Sequence, residues 1–264
     1  MSKVIVVSGA SSGIGKLTAE YFHKQGNKVI GLSRSYPKNQ YNYNYVLCDL
    51  GKSEAIDKAV LDIKKLTDHI DVLINCAGIG ISGAVEYTTL KEANKIFQVN
   101  VVGQFHFTKV LLPLLREAKK AKIINIGSVA GELTIPFQTF YSMTKSSMHK
   151  FTEGLKMELK PFGIDVCSVL PGDTKTGFTD NRDQPNVIED GLYKDRIKKS
   201  INKMEHDERN GMSPMSVVKV INKLTKRKRM PVQVTVGFVY KFLVFLGKIL
   251  PKRFVNWILA KMYA

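Results

Sequence analysis

Along this chain, short unbroken apolar runs alternate with longer stretches whose apolar positions recur at helical spacing. Residues 4–7, 29–32, 45–47, 72–74, 123–126 and 166–170 form the short runs. They lack the in–out alternation of a half-exposed strand, which predicts strands covered on both faces, as in a parallel sheet. Between them, helices are predicted over 14–25, from a cap at Ser53 to about 66, across a long pair over 90–119, and over 139–160. Repeated βα units of this kind predict an α/β fold with one doubly wound, mostly parallel, Rossmann-like sheet and right-handed crossovers. No repeat or linker interrupts the pattern, so residues 1–264 are read as a single domain.

Two regions break the rhythm. Residues 174–214 are polar, carry Pro185 and Gly191, and include a lysine-rich helical run over 193–208. So long an insertion after a sheet strand predicts a substrate lid. Residues 238–264 form an apolar helical C-terminal extension in two runs, 238–250 and 254–262, with Trp257 on the second. Lys241, Lys248, Lys252, Arg253 and Lys261 punctuate it. Neither run reaches the ~20 residues needed to span a bilayer. The first expectation is a cover over a pocket or a subunit interface; the alternative is peripheral membrane contact, since interfacial helices mix apolar and basic residues in this way. With the lid, Ile81, Leu133, Phe137, Phe140 and Phe178 are expected to line an apolar substrate pocket.

Composition narrows the picture modestly. With 44% hydrophobic and 24% charged residues, the chain can bury a sizeable core. The net charge of +17 raises the question of nucleic acid. The lysines are spread along the chain without interleaved aromatics, and the densest run, 226–229, reads as a solvated helix end, so no nucleic-acid partner is expected. Cys48, Cys76 and Cys167 are odd in number and lie in or beside apolar runs, which predicts buried free thiols. His23, His69, His106, His149 and His206 show no ligand spacing, so no metal site is expected. A first strand beginning near residue 3 leaves no room for a signal peptide; a cytoplasmic protein, with membrane association as the variant, is the expectation.

The chemistry begins at Ser8-Gly9-Ala10-Ser11-Ser12-Gly13-Ile14-Gly15, between the first strand and the first helix. Gly9 permits a tight turn, Gly13 a close backbone approach to a pyrophosphate, and Gly15 close helix–sheet packing. Ser11, Ser12 and Ile14 complete the turn, and the helix N-terminus offers amides and partial positive charge to phosphates. At the end of the second strand, Ser33-Arg34-Ser35 lacks the carboxylate that would bind an unphosphorylated ribose. Arg34 instead offers a fork suited to a 2′-phosphate, which predicts NADP(H) over NAD(H).

Ser128 follows the fifth strand, and Tyr141 and Lys145 lie four apart on one helix face. Carbonyl reduction needs a hydride and a proton donor for the growing alkoxide. An ammonium ~4 Å from a phenol, at an effective dielectric of ~20, attracts the phenolate by up to about 4 kcal/mol. Lys145 is therefore expected to lower the Tyr141 pKa, with Ser128 fixing the carbonyl oxygen.

The glycine spacing G-x-x-x-G-x-G, followed by Ser128, Tyr141 and Lys145, resembles the single-domain branch of the short-chain dehydrogenase/reductase family over about residues 3–236. Ser8 stands where that family has Thr. The resemblance implies that Asp49 and the adjacent Leu50 meet the adenine, and that Asn75, Ala77 and Gly78 lie on the adenosine side, with Cys76 replacing a second Asn and Asn75 keeping a sheet-stabilising amide. It also implies that Asn100 helps hold a proton-relay water, and that Pro171, Gly172, Thr174 and Thr176 face the nicotinamide and phosphates. A homodimer or homotetramer is the family expectation.

The combined expectation is an NADP(H)-dependent oxidoreductase moving hydride between nicotinamide and a ketone or secondary alcohol on an apolar, steroid- or lipid-like substrate. One rival is a ketoreductase of carrier-bound acyl groups. The other is a non-catalytic NADPH-binding or membrane-surface protein, which would need none of Ser128, Tyr141 and Lys145.

Overall fold

The computed structural model describes residues 2–37, 42–179, 182 and 191–263. Pro185 and most of residues 180–190 within the expected lid lie outside the described residues.

Seven strands form one sheet in the order β3-β2-β1-β4-β5-β6-β7. They are β1 (Val4–Ser8), β2 (Lys28–Ser33), β3 (Asn44–Leu47), β4 (Val72–Asn75), β5 (Lys122–Ile126), β6 (Asp165–Pro171) and β7 (Gln233–Val236). Every pairing is parallel, from Val4 opposite Lys28 at one side to Pro171 opposite Val236 at the other. The order reverses between β1 and β4, which opens a crevice at the carboxyl ends of the strands.

The unbroken apolar runs are explained by two cores, one on each face. Val4, Val6, Ile30, Leu73, Ile123 and Val166 point to one side, and Ile5, Val7, Val29, Val72, Ile74 and Cys167 to the other. Helices α2 (Ser53–Leu66), α4 (Gln104–Glu117) and α5 (Thr139–Leu159) cover the first face through residues such as Ile56, Ile63, Phe107, Leu111 and Leu155. Helices α1 (Gly13–Lys24) and α7 (Pro214–Lys226) cover the second through Ala19, Phe22, Val217 and Ile221. Residues 226–229 are exposed at the end of α7, as expected. The buried Lys122 ammonium beneath them donates to the carbonyls of Leu224 and Thr225 at 3.1 and 2.9 Å, which serves the helix's orphan acceptors.

Two local expectations need correction. Ser53 does not cap α2: it is the first helical residue, and Lys52 occupies the cap position without a side-chain bond. The long pair over 90–119 is not two simple helices either. Helix α3 (Leu90–Phe97) runs into a π-helical turn, Gln98–Gly103, before α4 begins. A Cβ on Gly103 would lie 2.0 Å from the Leu50 carbonyl oxygen, so the widened turn is seated by backbone contact with the segment after β3.

The remaining helices are α6 (Lys194–Arg209), α8 (Phe238–Ile249) and α9 (Lys252–Tyr263). They gather over the carboxyl edge of β5 and β6. Ile197, Ile201 and Met204 of α6 pack with Phe137 and Tyr263, while Val244 and Val255 pack with Val129, Leu133 and Leu170. Among the described residues no helix is long and apolar enough to cross a membrane.

Candidate active site

A cavity of about 990 Å³ runs along the carboxyl ends of the strands, from the β1–α1 turn to the inner side of α8 and α9. At one end, Gly9 and Gly13 have φ of 70° and 54°, and a Cβ on Gly9 would lie 2.8 Å from the Ala77 amide nitrogen. A Cβ on Gly15 would strike the Gly9 carbonyl oxygen at 2.3 Å, so all three glycines are sterically required. Ser8 explains the hydroxyl at its position: its Oγ accepts from the amides of Cys76 and Ala77, both at 3.2 Å, and ties β1 to the segment after β4. Ser12, before α1, spends no side-chain bond on the first turn, and that turn carries no acid. Its amides and partial positive charge remain available to an anion.

Arg34 is exposed on this end of the cavity, with no ion pair among the described residues, beside Ser33 and Ser35. The Ser33 hydroxyl donates to the Ser35 carbonyl at 2.6 Å. Asp49 and Leu50 line the same end, where Asp49 accepts from the Gly51 amide at 2.9 Å. Ala77, Gly78, Pro171, Gly172, Thr174 and Thr176 continue the wall. A turn stripped of side chains, with free first-turn amides and an unpaired guanidinium nearby, suits a dinucleotide with an anionic linker.

Two predicted contacts stand behind the wall. Asn75 is buried in the sheet, and its amide donates to Thr108 at 3.0 Å and to Asn125 at 2.8 Å, an anchor between strands and α4. Asn100, in the π-helical turn, is buried and fully engaged. It accepts from the Ile79 amide at 2.8 Å and donates to the Ile79 carbonyl at 2.9 Å and to Thr144 at 3.2 Å. It therefore clamps the strand-end segment carrying Gly78 to α5.

Ser128, Tyr141 and Lys145 come together on the cavity's middle wall. Ser128 precedes a short turn whose Ala130 amide donates to its Oγ at 3.1 Å. On α5, the Lys145 Nζ lies 5.6 Å from the Tyr141 ring centre and donates to the Ile126 carbonyl at 3.0 Å. The electrostatics correct the expectation of a lowered tyrosine. Burial pushes the Tyr141 phenol up to about 12, opposed by hydrogen bonding from Ser128 and helped by the carboxylates of Glu208 and Asp173. Burial likewise brings Lys145 down to about 8. Desolvation outweighs the Ser128 hydrogen bond and the Arg182 guanidinium at Tyr141, and it disfavours the charged form of both groups. Tyr141 thus keeps its proton at neutral pH, the state a proton donor needs.

On α5, the buried His149 ring fills the space next to Gly127 and Gly131. Its Nδ1 lies 3.2 Å from a Glu132 carboxylate held down at about 2 by that contact. The histidine supports the Ser128 turn and lies outside the cavity.

The other end of the cavity was only partly foreseen. Leu133 and Phe178 line it as expected, with the Phe178 ring 5.6 Å from Tyr141. Ile81, Phe137 and Phe140 do not. Phe137, held at φ 61°, packs into the cluster under α6, and Ile81 is buried in packing. Their places are taken by Tyr240, Leu243, Leu246 and Leu250 of the α8 segment, and by Ile258 and Leu259 of α9. Tyr240 lies on Gly172, where a Cβ would meet its ring at 2.3 Å, and its hydroxyl donates to Asp173 at 2.7 Å. Burial raises the Asp173 carboxyl, and that bond pulls it back. Met204 and Glu208 of α6 close the side. The only signal in the sequence for this end was the density of apolar residues after 238.

Comparison with known proteins agrees with the geometry. Residues 3–186 match the short chain dehydrogenase family. The chain is 38% identical to the 3-ketodihydrosphingosine reductase of Bacteroides thetaiotaomicron, over 99% of this chain and 98% of that one. It is 28% identical to dehydrogenase/reductase SDR family member 7B of Xenopus tropicalis, over 98% of this chain and 85% of that one. A short-chain dehydrogenase from Streptomyces avermitilis superposes with a TM-score of 0.80 at 27% identity, covering 98% of this chain and 95% of that chain.

Proposed function

The chain belongs to the short-chain dehydrogenase/reductase family, and from that premise we propose that it is an NADPH-dependent reductase of ketones carrying a long apolar chain. Family membership makes it an oxidoreductase that uses a nicotinamide dinucleotide and a small-molecule substrate. The observation that carries the finer reading is the cavity itself. It places Ser128, Tyr141 and Lys145 between a glycine turn and a wall of leucines from α8 and α9.

When bound, the dinucleotide supplies the hydride that reduces the carbonyl carbon. Gly9, Gly13 and the first turn of α1 would hold its pyrophosphate, and Arg34 a 2′-phosphate. The Ser128 hydroxyl donates to the substrate carbonyl oxygen and holds it against Tyr141. As the carbonyl π pair moves onto that oxygen, the Tyr141 hydroxyl gives it a proton, and Lys145 steadies the resulting phenolate. Asn100 keeps Gly78 and the catalytic helix in register. The choice of substrate is supported by the apolar cover and by the reductase similarity, whose named substrate is a long-chain ketone.

The lysine-rich α6, carrying Lys194, Lys198, Lys199 and Lys203, supports a second reading in which the ketone arrives on an acidic carrier protein. Following NADPH oxidation across sphingoid-like, steroid, short aliphatic and carrier-linked ketones tests both. Fastest turnover of the long-chain ketone is expected. Preference for the carrier-linked one would overturn the first reading in favour of the second.

A further inference from the structure

Helices α8 and α9 have two apolar faces. The inner one lines the cavity. The outer one carries Phe238, Phe242, Phe245, Ile249, Phe254 and Trp257, with 87% of Phe238 and 54% of Trp257 exposed. None of the six lines the cavity, although Leu243 and Met262 both line it and reach the outer surface. An exposed apolar surface of this extent marks an interaction site.

Charge identifies the partner. Lys241, Lys248, Lys252, Arg253 and Lys261 are all exposed around this face, and residues 238–263 contain no acid at all. Lys261 lies 4.8 Å from the Trp257 ring centre, and Phe254 stacks on the same ring at 5.9 Å, an aromatic pair with a cation at its rim. A second copy placed face to face would bring five cations against five, with no anion from either segment to offset them. A bilayer containing anionic lipid meets both demands: acyl chains for the aromatics and headgroup phosphates for the ammonium rim.

We infer that the outer face of α8 and α9 is a docking surface for an anionic lipid bilayer. Two short helices bearing cations cannot span it, so the protein lies on the surface with the covered end of its cavity toward the lipid. The inference rests on this face alone and does not depend on which ketone is reduced.

Trp257 is the only tryptophan in the chain, so its emission reports this face directly. The full-length protein is mixed with phosphatidylcholine vesicles with or without phosphatidylglycerol as the minor component. Emission and flotation are then followed at low and high salt. A blue shift and co-flotation with the anionic vesicles are expected, weakened by salt. Lys248→Glu with Lys252→Glu should reduce partitioning at least about fivefold, the worth of a single basic residue at such a surface. Phe242→Ser with Phe245→Ser should lose the shift while melting temperature and NADPH affinity stay as in the wild type. Unchanged emission with no flotation on either vesicle would overturn the inference. So would an emission already blue-shifted without lipid in a sedimenting dimer that the Phe242→Ser, Phe245→Ser variant dissociates. Failure of the ketone assay with lipid binding intact would count against the reductase reading alone.

Discussion

At one end of the cavity the wall is backbone: Gly9 and Gly13 at positive φ, free amides at the start of α1, and a single guanidinium from Arg34. At the other it is side chain: Tyr240 lying on Gly172, leucines from α8 and α9, and Glu208 reaching in from α6. The first end is held by hydrogen bonds between strand termini, such as Ser8 to Cys76 and Ala77. The second is held by packing between helices that rest on the sheet edge. Backbone recognition tolerates little change, because a Cβ at Gly9 or Gly15 meets main-chain atoms within 3 Å. Packed side chains can be exchanged without moving the sheet. The reaction and its cofactor are thereby separable from the choice of substrate, and the seam between them is Tyr141.

The seam is where the largest effect is expected. Tyr141→Phe removes the proposed proton donor and should lower kcat by about 10²–10⁴-fold, with NADPH binding by fluorescence titration unchanged. Retention of more than about a tenth of the activity would point to another donor. Next in size is a test of the backbone end. Arg34→Asp exchanges the proposed phosphate partner, with charged hydrogen bonds worth roughly 1.5–3 kcal/mol, for a repulsive carboxylate. It should shift cofactor preference from NADPH toward NADH at least tenfold, with KM for the ketone unmoved; equal losses for both cofactors would make Arg34 merely structural.

The pH profile probes the same seam without mutation. Lys145 is protonated below about 8 and neutral above it. Its cation is needed beside the incipient phenolate, so kcat/KM for reduction should be level below that pH and fall about tenfold per unit above it, the slope of a single ionisation. A profile flat to pH 10 would leave Lys145 without this role. The smallest effect is expected at the covered end. Tyr240→Phe keeps the ring on Gly172 but removes a hydrogen bond worth about 1 kcal/mol. A rise of about fivefold in KM for the ketone is expected, with NADPH affinity unchanged. A loss of NADPH affinity instead would erase the distinction between the two ends.

The same division explains what could be read from the chain. Strands buried on both faces announce themselves as unbroken apolar runs. The glycine turn, Ser128, Tyr141 and Lys145 are legible because each works through local geometry: a turn, a strand end, one helical face. The sheet-stabilising amide of Asn75 was legible from the resemblance and is seen bonding Thr108 and Asn125, whereas nothing in the sequence announced that the Asn100 side chain bonds the Ile79 backbone and Thr144. The covered end was misread at Ile81, Phe137 and Phe140 because an apolar residue carries no label saying which cavity it faces. Tyr240 and Asp173 are 67 positions apart, and nothing in either neighbourhood points to the other. The direction of the Tyr141 shift was also out of reach. It depends on how dry the wall is, and dryness is decided by helices contributed from the far end of the chain.

The strand order has one more consequence, which concerns the making of the protein. Reading outward from β1, β2 and then β3 extend one side, and β4, β5, β6 and β7 extend the other in turn. No strand is ever inserted between two already paired, so a chain emerging from the ribosome can enlarge its sheet by edge addition alone. Translation therefore delivers the glycine turn and Arg34 first, the Ser128–Tyr141–Lys145 wall second, and α8 and α9, which roof the cavity, last.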